Sequence, residues 1–180
     1  MRTERVASTT VERIAFDGLF AALALVLGYL EHLIPILPAV PGIKPGLANA
    51  LLLLLIINGR IADAAAINAA RIVVTMFTFG NPVSAVYSVF GSALSFTLMI
   101  VMTKATRLSP ISISACAGVV HNVGQLLAAR ILLGTPSVIS YLPYLIIAGT
   151  LCGTLTGIIT ALSDNKIKKS VSRPFSVKND

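Results

Sequence analysis

The chain has too little charge to be covered by water. Charged residues make up 12% of its 180 positions, against roughly 25% in soluble domains. Hydrophobic residues make up 56% and the mean hydropathy is +0.88, so the outer surface must face lipid. Catalytic signatures are missing as well. No G-x-x-x-x-G-K-[ST] loop exists to cradle a nucleotide, and neither a serine elbow nor HExxH occurs. The seven acids (Glu4, Glu12, Asp17, Glu31, Asp63, Asp164 and Asp180) stay at least five positions apart. A paired-aspartate cluster able to hold magnesium against a diphosphate is therefore lacking. Cys116 and Cys152 stand alone in separate apolar runs, where a thiol behaves as a small hydrophobe. Neither a cofactor nor a metal is implied, and the chain reads as a non-enzyme.

What is present is a series of apolar segments. A bilayer core of about 30 Å needs about 20 helical residues to cross it. Candidate spans run from Ile14 to Leu37, Ile61 to Gly80, Val83 to Thr103, Ile111 to Leu133 and Val138 to Leu162. A shorter stretch from Leu47 to Ile57 lies between a proline-rich connection, Pro35 to Pro45, and the turn Asn58-Gly59-Arg60. It either recruits flanking residues to span or crosses a thin region. The expectation is an all-α polytopic membrane protein, a bundle of about six transmembrane helices. It divides into a cytoplasmic arm (1–13), a transmembrane domain (14–162) and a basic tail without regular structure (163–180). The arginine-bearing lead-in lacks a small-x-small cleavage site and reads as a retained anchor.

The net charge of +7 invites a nucleic-acid reading, but the distribution of cations opposes it. With six crossings, eleven cations fall on one side: Arg2, Arg5, Arg13, Arg60, Lys104, Arg107, Lys166, Lys168, Lys169, Arg173 and Lys178. Lys44 falls on the other, and Arg71 and Arg130 lie inside helices. Positive residues accumulate on the cytoplasmic side, so both termini are expected in the cytoplasm of a multi-pass cell-membrane protein.

Polar groups within the spans carry the functional content, because ionisable residues in lipid face a cavity or a partner. Arg71 falls near the midplane of its span. It either holds an anionic group of a ligand or pairs internally with Asp63, Asp17 or Glu31. Asp63 lies about 80° around the helix from Arg71 and two turns away, which allows only a loose pair. His121, Asn122 and Gln125 fit one 100° arc and offer several donors and acceptors; they form a site or bond between helices. Glu31 and Asn49 flank the proline-rich connection that contains Lys44, which either caps a hollow open to the outside or simply marks helix boundaries. Gly149, Gly153, Gly157 and Ala161 form a small-residue ridge suited to close helix packing, more often within a fold than against a partner. Ser84, Ser88, Ser92 and Ser95 read as helix contacts.

Two stretches carry a family resemblance. Pro41-Gly42-Ile43-Lys44-Pro45-Gly46-Leu47-Ala48-Asn49 and His121-Asn122-Val123-Gly124-Gln125, with Tyr29-Leu30-Glu31 and Ile34-Pro35 before them, resemble signatures of the Gx transporter family. That family is also labelled heptaprenyl diphosphate synthase component I. Pro45 departs from the pattern, where an apolar non-proline residue is expected. The family is similar to the substrate-binding S components of energy-coupling-factor transporters. The resemblance implies a six-helix binding subunit whose pocket lies near the outer face, driven by a separate coupling subunit and ATPases. Ala15, Gly18 and Ala22 would then meet the coupling subunit.

The expectation is a transport subunit capturing a small polar or anionic solute, with Glu31, Lys44, Asn49, Arg71, His121, Asn122 and Gln125 as substrate-binding residues. The alternative is a non-catalytic membrane subunit of a heptaprenyl diphosphate synthase.

Overall fold

The computed structural model describes residues 2–33, 46–78 and 82–171, with side chains between 14 and 166 apart from 32 and 84. The described residues form six α-helices: α1 (Arg2–Leu33), α2 (Ala48–Ile57), α3 (Ile61–Thr78), α4 (Pro82–Ala105), α5 (Pro110–Leu133) and α6 (Leu142–Val171). A 3₁₀ helix, Pro136–Tyr141, joins α5 to α6. Five of the six are long and apolar enough to cross a bilayer. The protein is a multi-pass membrane protein, and no strand occurs among the described residues.

The exception, α2, explains the arrangement of the others. Its ten residues reach only about 15 Å. They are apolar nearly all round, which suits a helix enclosed by protein. All five other helices touch it, and Leu52, Leu53, Leu54, Leu55 and Ile56 are buried in one core with Phe20, Ala24, Ile67, Met99 and Ala117. The described part of the segment, Ala48–Ile57, is therefore enclosed largely by protein. The proline-rich connection before it lies outside the described residues.

Both ends of α2 are tied to α1. The backbone N–H of Ala48 donates to Glu31 at 3.0 Å, while Arg60, in the turn after α2, pairs with Asp17. Arg60 also bonds Asp63 at 2.8 Å and lies over the Phe16 ring at 4.8 Å. Gly59 takes a φ of +77° to make this turn, a conformation costly for residues with a Cβ. In the same turn Asn58 donates to Asp164 of α6 at 3.2 Å. The N-terminal part of α1 and the C-terminal part of α6 thus share one end of the bundle.

Two helices extend beyond the apolar segments read from the sequence. Helix α1 begins at Arg2, because nothing from Arg2 to Asp17 interrupts a helix. Helix α6 continues to Val171, so the stretch after Ser163 is helical for its first turns. Proline, capping and glycine signals fix α5 closely. Ser109 caps its amino end by accepting from the Ser112 N–H at 3.2 Å, Pro110 opens the first turn, and Gly134 closes the helix at a φ of +67°.

The small-residue ridge of α6 packs inside the fold, on α5. A Cβ at Gly153 would lie 2.5 Å from the Ser114 carbonyl oxygen, and one at Gly157 would lie 2.6 Å from the Ile111 Cα. Ser114 and Thr156 seal this contact with a 2.8 Å hydroxyl pair. Gly18 on α1 has nothing within 4 Å of its Cβ position. Gly153→Val should therefore lower unfolding free energy by about 3 kcal/mol or more. Gly18→Ala should change it by less than about 0.5 kcal/mol. Equal effects in detergent-denaturation titrations would contradict the α5–α6 contact.

Candidate functional site

Polar side chains of α1, α3, α4 and α5 meet inside the bundle in two adjoining clusters, both resting on α4. In the first, Glu31 is 2% exposed. Its Oε1 accepts from an N–H at the start of α2, one of the groups a helix leaves unpaired. A carboxylate beside the positive end of a helix is favourably placed. Its Oε2 lies 4.0 Å from Arg71 Nη1, a loose ion pair. Arg71 Nη2 donates to Asn68 Oδ1 at 3.0 Å and to Ser92 Oγ at 3.1 Å. The Nε–H of Arg71 has no acceptor among the described residues. Gly28 leaves room for the arginine stem, since a Cβ there would sit 3.8 Å from Arg71 Cδ.

The second cluster starts one turn along α4. Ser95 donates to the Ser92 carbonyl at 3.2 Å and lies 3.4 Å from His121 Nδ1. Gln125 Nε2 lies 2.8 Å from His121 Nε2. With the amide so oriented it donates to the ring, which places the histidine proton on Nδ1, toward Ser95. Turning the amide would instead offer Oε1, which has no partner, to a protonated Nε2. The cluster can thus serve neutral or charged imidazole by one side-chain rotation. Gly91 makes room for it: a Cβ there would be 2.9 Å from Gln125 Cγ and 3.0 Å from His121 Cε1.

The expected site residues do not all converge. Glu31 and Arg71 meet, as do His121 and Gln125, and the two pairs are linked through Ser92 and Ser95. Asn122 does not join them; its amide donates to the Leu145 carbonyl at 2.9 Å and holds α6. Asn49 is buried in the first turn of α2, with its amide beside Gly46. Lys44 lies outside the described residues. The loose Arg71–Asp63 pair does not form, because Asp63 bonds Arg60, and Asp17 pairs with Arg60 as well. Of the three possible internal partners of Arg71, Glu31 is the one found.

Asn68 and Ser92 belong to the cluster although the sequence reading left them out of the site. Asn68 lies three residues before Arg71 and shares its face, a spacing visible in the sequence. Ser92 carried no comparable sign, because its role depends on how α4 sits against α3. Among the described residues no three His, Cys, Asp or Glu side chains gather as metal ligands. Ala15, Gly18 and Ala22 of α1 are all exposed.

A family model described as heptaprenyl diphosphate synthase component I matches residues 20–162. The chain belongs to that family. The matched region runs from within α1 to within α6 and contains every residue of the two clusters. No curated protein and no solved structure matches the chain. The component I family is named for one part of a synthase, and the described carboxylates of this member are engaged in the fold. Asp17 and Asp63 hold Arg60, Glu31 holds Ala48 and faces Arg71, and Asp164 accepts from Asn58.

Removing one member of a buried pair leaves its partner's charge uncompensated, at a cost of about 3 kcal/mol or more. Arg71→Met should lower unfolding free energy by about that amount, and adding Glu31→Gln should restore more than half of it. A double-mutant cycle measured by denaturation in micelles checks this; strictly additive losses would mean that the two residues do not interact.

Proposed function

We propose that this chain is a non-catalytic membrane subunit that acts through a separate protein, as component I of a heptaprenyl diphosphate synthase. The carrying observation is the family match over 20–162, read beside the carboxylates. Each described acid is engaged in holding helices together, so none is available to grip magnesium and a diphosphate. The catalytic carboxylates belong on the partner, and this subunit gives that partner a place in the bilayer, where a growing prenyl chain partitions. By the excess of cations on one side, the chain termini and the Arg60 turn face the cytoplasm, the compartment of a soluble catalytic partner.

Helix α1 is the docking surface in this reading. Among the described residues it touches only α2 and α3, and Ala15, Gly18, Leu19, Ala22, Leu23 and Val26 of it are exposed. Small residues there permit close approach of a partner helix.

A second reading, solute capture in the manner of S components of energy-coupling-factor transporters, draws on the interior clusters. Arg71 Nε and Gln125 Oε1 are buried polar atoms without partners. Most buried polar groups in proteins are paired, and two unpaired ones on adjoining clusters are what a polar solute would engage. On this reading α1 would dock a coupling subunit with ATPases, and the exposed face would serve the same purpose for a different partner.

Reconstituted into vesicles with a prenyl diphosphate synthase catalytic chain from the same cells, this subunit should stimulate allylic diphosphate elongation by about tenfold. A catalytic chain that elongates equally well alone would sink the synthase reading. Gly18→Trp should remove partner co-purification while shifting unfolding free energy by no more than about 0.5 kcal/mol. Mass spectrometry of the chain extracted from native membranes decides the second reading, which requires a stoichiometric small polar molecule absent from the Arg71→Gln variant.

A further inference from the structure

The guanidinium of Arg71 has more donors than the structure engages. Its five N–H groups lie in one plane. Both hydrogens of Nη2 are directed to Asn68 and Ser92, Nη1 faces Glu31 at 4.0 Å, and Nε has no acceptor among the described residues. On the side-on edge shared by Nε and Nη2 the Nη2 hydrogens are taken, so Nε–H is the donor left open there, able to give an oxyanion one charge-assisted bond. Arg71 is 8% exposed, so this edge is turned inward. The amino end of α2 adds partial positive charge nearby, where Ala48 already binds a carboxylate oxygen.

Against these positive groups the structure sets the Glu31 carboxylate. It bonds the α2 amino end with one oxygen and faces Arg71 with the other, without closing to hydrogen-bond distance. That is the position of an intramolecular counter-ion: near enough to balance the arginine, too far to occupy its Nε edge. We propose that the Nε edge of Arg71, flanked by Asn68 and Ser92, is a subsite for a small oxyanion, a carboxylate or a single phosphate. We also propose that Glu31 sets its strength by opposing the incoming charge. This inference rests on the solute-capture reading and names its substrate class and the residue that tunes it.

The charge arithmetic gives an unusual sign. With Glu31 present the pair is neutral, and a bound monoanion leaves one excess negative charge at low dielectric, where charge interactions are strong. With Glu31→Gln the amide oxygen still accepts from Ala48, but the site holds one negative charge fewer to oppose an incoming anion. Deleting a carboxylate from the site should therefore strengthen anion binding.

The test uses full-length protein in nanodiscs, with sodium acetate and sodium phosphate as probes against sodium gluconate at constant ionic strength. Thermal unfolding followed by circular dichroism is the readout. Glu31→Gln should be stabilised saturably by acetate or phosphate, with half-saturation at a concentration at least about tenfold below that of wild type. Arg71→Gln should show no saturable response, and the Glu31→Gln/Arg71→Gln double variant, which is neutral like wild type, should also show none. A preference for acetate marks a carboxylate subsite, and a preference for phosphate marks a phosphate subsite. Equal responses in Glu31→Gln and in the double variant would overturn the proposal, as would the absence of any saturable response in Glu31→Gln. Saturable acetate binding that needs Arg71 upholds the subsite even if vesicles take up no solute. Uptake that survives Arg71→Gln overturns the subsite and leaves solute capture standing.

Discussion

A charged arginine inside a lipid-wrapped bundle must be surrounded by groups that tolerate it, and the core of this protein is arranged around that requirement. Arg71 is 8% exposed, so its guanidinium is held inside the bundle. Its neighbours are therefore drawn from four elements: Glu31 of α1, the amino end of α2 through that carboxylate, Asn68 of its own helix and Ser92 of α4. Each contact also fixes the position of a helix. The register of α1 against α2 and α3 follows from Glu31 at one end and from the Asp17–Arg60–Asp63 group at the other. Two ionic clasps, separated by the length of α2, hold three helices in line.

The remaining helices are positioned by the absence of side chains more than by their chemistry. In lipid there is no hydrophobic gain from pressing two apolar helices together, so contact depends on how closely backbones approach. On α6, Gly149, Gly153 and Gly157 bring α5 to backbone distance, and Gly91 opposite Gly124 does the same for α4 and α5. The second gap has a further consequence. Because Gly91 carries no side chain, His121 and Gln125 fit against α4 and come to lie beside Ser95. Helix packing and the interior polar chain are two outcomes of the same substitution pattern.

Much of this was legible in the chain and some was not, for physical reasons. Long apolar runs bounded by glycine, proline and cations identify spans, so the bundle and the rough limits of α3, α4 and α5 could be read directly. The ridge on α6 was visible by its four-residue spacing, and its use within the fold was the expected one. The character of α2 was only half visible. Its even hydrophobicity signals burial, but whether lipid or protein does the burying depends on five other helices. Asn122 illustrates the limit of spacing arguments. It shares an arc with His121 and Gln125, yet its amide reaches the Leu145 carbonyl because α6 comes close at that height. Periodicity places a residue on a face; it does not say which neighbour that face meets.

Helix α1 connects the two functional readings. It is the least enclosed of the long helices described, with contacts to α2 and α3 alone, and its outward side carries small and apolar residues. Its inward side carries Asp17 and Glu31, one in each clasp. A protein gripping the outer face of α1 and shifting it by even one ångström would alter the Glu31–Arg71 separation, already 4.0 Å, and with it the charge balance in the interior. Conversely, an anion drawn to Arg71 would compete with Glu31 and loosen the hold on α1. Such coupling is reciprocal by thermodynamic necessity, and here the route is a single rigid helix with a carboxylate at each clasp. Whichever partner binds outside, synthase chain or coupling subunit, the helix it would hold also bears the counter-ion of the buried arginine.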